Sequence, residues 1–357
     1  MPGLEDFLRA GCPTVSEQIP FREADLPGYL VTLGLLTPGE PARVEFAGEG
    51  NINWVRRVRS LARECSFVVK QARPALERFP EYRVSTLRIE CEARWYETVA
   101  RFDRDGVCPR VHHFDPQRKA LVLEDLAGAE PLDVLLARGG DAAPVAAVLG
   151  RFLGAVHAGT RDPELASRFS NAEMRQLHGE HIFALPFRAN DFPLSPAVAK
   201  RAQAIVADAA LLRRIEKAYA RYRELAQALV HGDLQPTNVL VAAGAPKLLD
   251  AEIAHLGDPA FDLGQLTGHL WLRALARGDA RAAAPAVSAL WSSYSAASGG
   301  VLEFEFSDAL VHAGIEMLRR TLGAARVPEV SRDEIALRAI DAGRTWVLAP
   351  PAHPSLL

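Results

Sequence analysis

The sequence predicts an α+β chain of two lobes: a small antiparallel β-sheet lobe with one main helix over 1–126, and a larger, mostly helical lobe over 127–357. Three observations carry this. Residues 43–71 read as short apolar runs split by turn residues. Most later segments repeat apolar residues at helical spacing. Between the two, Ala127-Gly128-Ala129-Glu130-Pro131 interrupts the pattern.

In the first lobe, strands are expected at 43–46, 52–58 and 66–70 as an antiparallel meander, with Gly48-Glu49-Gly50-Asn51 as the first turn. A helix follows, with Ser85 as its N-cap and Leu87, Cys91, Trp95, Val99 and Phe102 at helical spacing. Two more strands are expected at 110–114 and 119–124. In the second lobe, Pro144 opens a helix striped by Val145, Val148, Leu149, Phe152 and Val156, and helical patterns cover 197–227. Three prolines and Asn190-Asp191 mark an irregular loop at 185–196. The clear strands in this lobe are short, 239–241 and 247–249, and helices run on after Phe261.

With 357 residues, 49% of them apolar, the chain is long enough to bury a core in each lobe. A net charge of -3 and a pI near 6.4 supply no field that would draw nucleic acid or an anionic membrane. Cys12, Cys65, Cys91 and Cys108 make no C-x-x-C pair, so neither a zinc site nor a disulfide framework is indicated. Glu5 and Asp6 stand where a secretory signal would be basic, and the apolar run 30–36 is too short to span a bilayer. A cytoplasmic protein with a small-molecule partner is expected.

The chemistry is concentrated in His231-Gly232-Asp233-Leu234-Gln235-Pro236-Thr237-Asn238. Asp233 and Asn238 are five positions apart on a loop entering a strand, the D-x-x-x-x-N spacing of phosphoryl-transfer loops. There the Asp orients the attacking hydroxyl and the Asn ligates a metal on the phosphates. Leu249-Asp250-Ala251-Glu252 leaves the next strand with an acidic pair where a further metal ligand is needed, and its oxygen donors suit Mg²⁺. Singly, Asp233 reads as a turn cap and Asp250 and Glu252 as solvated carboxylates. Their common order, spacing and strand context match one mechanism.

His231-Gly232-Asp233-Leu234 and Gly257-Asp258-Pro259-Ala260-Phe261-Asp262-Leu263 resemble signatures of the aminoglycoside phosphotransferase and choline kinase superfamily, relatives of the protein kinases. Within it the chain is most similar to the methylthioribose kinases. That likeness rests on Gly50-Asn51-Ile52-Asn53, Val69-Lys70-Gln71-Ala72, Leu123-Glu124-Asp125-Leu126, Asp250-Ala251-Glu252 and Glu316-Met317-Leu318-Arg319-Arg320-Thr321-Leu322-Gly323. The resemblance implies a protein-kinase-like two-lobe fold and ATP- and Mg²⁺-dependent phosphorylation of a hydroxyl on a sugar or alcohol, S-methyl-5-thioribose or a related pentose first. It admits a homodimer.

The resemblance also implies roles. Lys70 would reach the ATP phosphates, held by a carboxylate from the following helix. Glu90, Glu92 and Glu97 are candidates. At 100° per residue only Glu92 falls within the arc of Leu87, Ile89, Cys91, Trp95, Tyr96 and Val99, and an inward carboxylate needs a partner. The Gly48, Gly50 and Asn51 turn, with Asn53 after it, would cover the phosphates, and Glu124 to Leu126 would be the adenine hinge. Asn238, Asp250 and Glu252 would hold Mg²⁺, and Arg319 and Arg320 would approach the transferring phosphate. By position, though, both arginines lie off the stripe of Val311, Ile315, Leu318 and Leu322, where solvation is the ordinary outcome. Asp262 would tie down the catalytic loop, with His157 supporting it.

One departure stands out. Where the methylthioribose kinases carry a His-Thr-Gly-Ser-type run, this chain has Gln235-Pro236-Thr237-Asn238, which favours Asn238 as a metal ligand and leaves other acceptors open: aminoglycosides, choline or ethanolamine, homoserine, another polyol. A protein kinase is disfavoured because no Arg precedes Asp233 and Asp-Ala-Glu replaces Asp-Phe-Gly. An inactive nucleotide-binding scaffold is disfavoured because Lys70, Asp233, Asn238 and Asp250 are all present.

Overall fold

The computed structural model describes residues 18–48, 53–75 and 83–356. Cys12, Glu5, Asp6, Gly50 and Asn51 lie outside them. The chain divides into two compact units, Met1–Thr98 with Cys108–Ala127, and Val99–Val107 with Gly128–Leu357. Residues 99–107 thus group with the second unit, although the sequence places them inside the first lobe.

The first unit is built on strands β1 (Ala42–Phe46), β2 (Trp54–Ser60), β3 (Ser66–Gln71), β4 (Val111–Asp115) and β5 (Ala120–Glu124), ordered β1-β2-β3-β5-β4 with every neighbour antiparallel. Lys70 sits in β3 opposite Val55 and Leu121, so three strands fix its backbone. One face carries Trp54, Val58, Phe67, Val69, Ala120 and Val122, covered by Leu26 and Leu30 of the Leu26–Thr32 helix and by Phe21. Each such aliphatic side chain contributes about 2 kcal/mol on burial.

The Arg88–Val99 helix starts later than its sequence signal. Ser85 Oγ accepts the Leu87 N–H at 3.2 Å and so closes the turn before the helix; Leu87, outside the helical arc, is 54% exposed. From Ile89 onward the arc is buried as expected, through Cys91, Trp95, Tyr96 and Val99, with Glu92 among them.

In the second unit two elements too short to read from sequence frame the chemistry. Strands β7 (Ala228–Val230) and β10 (His255–Gly257) pair antiparallel, and between them run the His231–Asn238 loop, the hairpin of β8 (Val239–Ala242) and β9 (Ala245–Leu248), and the acidic segment Asp250–Glu252. The hairpin turns on Ala243 and Gly244 at φ 48° and 84°, both left-handed, as a two-residue primed turn requires. A two-residue β6 (Glu130–Pro131) flanks β8. The Leu249 N–H donates to the Asn238 carbonyl at 2.8 Å, which brings Asp250 beside the catalytic loop.

Helices form the rest. Ala143–Gly159 packs on Ala284–Ser298, and Pro259–Ala276 packs on Phe306–Leu322. The second contact is close because Gly264 and Gly268 face it: a Cβ there would lie 2.6 Å from the Ala309 carbonyl oxygen and 2.9 Å from that of Ala313. Phe306–Leu322 is consequently buried on every side from His312 to Leu322, with no solvated face along that stretch. Among the described residues no helix is long and apolar enough to cross a membrane.

Candidate active site

The loop after β7 is held by its backbone. Asp262, in the first turn of Pro259–Ala276, accepts the His231 N–H at 2.7 Å on Oδ2 and the Gly232 N–H at 2.9 Å on Oδ1. His157 braces it, Nε2 lying 3.3 Å from Asp262 Oδ2 and Nδ1 3.0 Å from the Tyr294 hydroxyl. Burial would raise Asp262; His157, His231 and the Gly232 N–H outweigh it and keep the carboxyl ionised. Asp258 caps the same helix, accepting the Ala260 N–H at 3.1 Å and Arg221 Nε at 2.8 Å. Gly232 has φ 86°, and a Cβ there would stand 2.7 Å from the Ile253 carbonyl oxygen. The Gly in His-Gly-Asp is therefore required on two counts.

These anchors present Asp233 with its two oxygens in different surroundings. Oδ2 accepts Asn238 Nδ2 and Gln235 Nε2, both at 2.9 Å. Oδ1 has no hydrogen bond among the described residues; its nearest basic atom is His178 Nε2, 3.8 Å away. Burial pushes Asp233 up to about 6, against the pull of Arg320 and Arg319, while Asp250 adds to the rise. His178 and His181 are held below their ordinary range by burial and by Arg319, His181 at about 4, so both imidazoles are neutral.

Arg319 and Arg320 are buried, 4% and 8% exposed, which corrects the solvated face that their position off the apolar stripe suggests. The physical reason is Glu316. Its Oε2 accepts Arg319 Nε at 2.6 Å, its Oε1 accepts Arg320 Nε at 2.8 Å, and His269 Nε2 lies 3.0 Å from Oε1. Burial would raise Glu316, but the two arginines and His269 hold it well below the usual carboxylate range. The two guanidinium groups then differ. Arg320 Nη2 donates to Gln235 Oε1 at 2.7 Å and its Nη1 to the Ala325 carbonyl at 3.3 Å. Arg319 Nη2 is buried and, among the described residues, has no partner. A buried guanidinium N–H without an acceptor is costly unless an anion fills the gap.

The donors for a metal are oxygen. Asn238 turns its amide nitrogen to Asp233, with bonds at 2.9 Å to the carboxylate and to the backbone carbonyl, so its oxygen faces away from that residue. Asp250 sits at φ 71°, a left-handed geometry that Asp tolerates better than most residues, just after β9. Glu252 is buried, and its carbonyl accepts Asn171 Nδ2 at 2.7 Å. Among the described residues no three His, Cys, Asp or Glu side chains form a metal cage. One amide and two carboxylates fit a cation that completes its shell with phosphate and water, as Mg²⁺ does.

In the first unit Lys70 Nζ lies 2.6 Å from Glu92 Oε2, and Tyr96 donates to Glu92 Oε1 at 3.3 Å. Glu90 instead pairs with Lys119 and Arg94. Asn53 Oδ1, directly before β2, accepts two N–H groups of the buried Arg88, at 3.1 and 2.9 Å. Gly48, just after β1, holds φ 92°. Glu124 closes β5, exchanging bonds with the Arg110 backbone at 2.8 and 3.0 Å, and Leu126 is partly buried beyond it. Between them Asp125 accepts Arg57 Nε and Ser66 Oγ.

Sequence reasoning overlooks four members of the second-unit cluster. Glu316 is legible in hindsight, three and four residues before the arginines, the spacing of helical ion pairs. His269 and His178 meet their partners only through the fold, as Gln235 meets Arg320.

The chain matches the model of a phosphotransferase enzyme family over residues 43–296. It is 30% identical to the methylthioribose kinase of Pectobacterium carotovorum subsp. carotovorum, covering 89% of this chain and 91% of that one. It is 29% identical to the methylthioribose kinase of Geobacillus kaustophilus, covering 87% and 86%. Among solved structures it resembles a choline kinase from Cryptosporidium parvum (TM-score 0.54, 12% identity, 91% of this chain and 95% of that one). It also resembles the choline kinase LicA from Streptococcus pneumoniae (TM-score 0.51, 15% identity, 91% and 98%). The antiparallel sheet unit and the helical unit are those of the protein-kinase-like α+β fold, and the family match spans well over half of the chain. The chain belongs to the phosphotransferase enzyme family.

Proposed function

We propose that this protein transfers the γ-phosphoryl group of Mg-ATP to a hydroxyl of S-methyl-5-thioribose or a closely related pentose. The observation that carries the reading is the asymmetry of Asp233: Oδ2 is fixed by two amides while Oδ1 is left to accept a proton or a hydroxyl hydrogen bond. That is the arrangement a base needs to orient an acceptor oxygen for in-line attack. The unpartnered Arg319 Nη2 supports it, being a buried donor suited to the charge spreading over a transferring phosphoryl group. Relatives named methylthioribose kinase, at 29–30% identity over most of both chains, favour that acceptor.

Asn238, Asp250 and Glu252 would hold Mg²⁺, which when bound neutralises charge on the β- and γ-phosphates. Lys70, oriented by Glu92, would contact the phosphates, and the hinge from Glu124 to Leu126 would meet adenine through its backbone. Gly48, Gly50 and Asn51 would lie over the phosphates. The test is ADP release across methylthioribose, other pentoses and polyols, choline, homoserine and an aminoglycoside. Turnover led by methylthioribose supports the reading. Turnover only with another acceptor refutes the substrate, and none with any acceptor refutes the activity.

A further inference from the structure

The arginine pair divides its work, and Gln235 is the reason. Arg320 has all three nitrogens engaged, Nε with Glu316, Nη1 with the Ala325 carbonyl and Nη2 with Gln235 Oε1 at 2.7 Å. Gln235 passes the contact on, its Nε2 donating to Asp233 Oδ2 at 2.9 Å. The orientation of the Gln235 amide is settled by chemistry: a guanidinium can only donate and an ionised carboxylate can only accept, so the oxygen must face Arg320 and the nitrogen Asp233. Along the path Glu316–Arg320–Gln235–Asp233, Arg320 donates both to Glu316 and to Gln235, and Gln235 donates on to Asp233. Its far end is fixed to Phe306–Leu322, a helix seated on Pro259–Ala276, which itself carries Asp262 and so holds the catalytic loop.

A neutral residue at this point has a specific consequence. Direct pairing of Arg320 with Asp233 would occupy the carboxylate with a charged fork and draw its basicity down. The amide keeps the two charges one side chain apart. Asp233 is still held in a single rotamer, because Asn238 and Gln235 both fill Oδ2, and Oδ1 stays open.

Resting on the proposed reaction, we propose that Gln235 is a positioning residue that relays Arg320 to Asp233, so that Arg320 sets the angle of the base while Arg319, whose Nη2 has no partner among the described residues, meets the transferring phosphoryl group. The relay predicts a larger effect on rate than on nucleotide affinity, since every nitrogen of Gln235 and Arg320 is already held in place by one bond within the network.

The test compares Gln235→Ala, Gln235→His and Arg320→Lys with the unsubstituted protein, using Mg-ATP and methylthioribose. Gln235→Ala is expected to lower kcat by about 10- to 100-fold with the KM for ATP changed less than about threefold. Gln235→His, whose imidazole accepts at one nitrogen and donates at the other, is expected to recover at least about a third of that loss on a logarithmic scale. Arg320→Lys, which loses the fork, should match Gln235→Ala.

Unaltered kcat in Gln235→Ala, or an equal fall in kcat for Ala and His at unchanged melting temperature, overturns the relay. Asp233→Asn in the same assay separates the two claims: full turnover there refutes the proposed reaction, whereas loss there with unaltered Gln235→Ala refutes the relay alone. A measurement that needs no acceptor runs beside it. The melting-temperature shifts of Asp233→Asn and Arg320→Lys should be non-additive with Gln235 present and additive in a Gln235→Ala background. Additivity in both backgrounds contradicts the coupling.

Discussion

Lys70 meets Glu92 at 2.6 Å, with the two side chains 8% and 1% exposed. Lys70 comes from a central strand, and Glu92 from the one arc position of the Arg88–Val99 helix that carries an inward carboxylate. At that depth each charge depends on the other, and removing one partner of such a pair costs roughly 3–5 kcal/mol. Glu92→Ala is expected to lower the midpoint of urea unfolding by a corresponding amount and to raise the KM for ATP more than it lowers kcat. Nucleotide titration and denaturation of the same variant check both.

Among the described residues Glu316 is the sole carboxylate hydrogen-bonded to both Arg319 and Arg320, and its loss leaves two guanidinium groups buried side by side. Glu316→Gln is expected to destabilise the chain by about 3 kcal/mol. Glu316→Asp, which keeps the charge but is one methylene short, should fall between the two. Thermal unfolding of the three forms ranks them, and Gln at or above the native value would contradict the role given to Glu316.

Gly232→Ala places a β-carbon in a left-handed residue and against the Ile253 carbonyl oxygen. The strain is about 1–3 kcal/mol, and relief by backbone rotation would swing Asp233. The variant is expected to lose at least tenfold in kcat while still binding ATP. A crystal structure of it should show the His231 to Asp233 segment displaced from Asp262.

Stability should also fall on mild acidification. Burial holds His181, His255 and His269 near 4, from an ordinary value of 6.5, with Arg319, Arg175 and Arg320 respectively adding to the fall. Between those values the unfolded chain binds a proton at each imidazole and the folded chain does not, so the stabilisation is complete above about pH 6.5 and is lost as pH drops toward 4. The denaturation midpoint is expected to decline over that window, and His255→Asn should flatten the decline. A flat profile would contradict the buried, neutral assignment.

Much of this is legible in the sequence where one local rule decides. The strands at β1 to β5, the long helices and the Asp233 to Asn238 spacing follow from periodicity and motif order. Glu92 follows from helical geometry plus the need of a buried charge for a partner. What is not legible depends on contacts between distant segments. β7 and β10 are three residues each, too short for a period, and exist because they pair with one another. Leu87 reads as part of a helix that begins one residue later. The arginines off the stripe of Phe306–Leu322 read as solvated because a stripe argument assumes one wet face, and that helix has none from His312 onward. Gln235 reads only as a departure from a motif until Arg320, 85 positions along the chain, arrives against it.

The central claim is that Asp233 orients a sugar hydroxyl for attack on ATP, and the most direct measurement is phosphorus NMR of the products formed from Mg-ATP and methylthioribose by the native chain and by Asp233→Asn. The account predicts a new sugar-phosphate resonance growing with ADP for the native protein. Asp233→Asn should lose at least about 10²-fold in that rate while its ATP affinity stays near native. Sugar phosphate formed at the native rate by Asp233→Asn would contradict it.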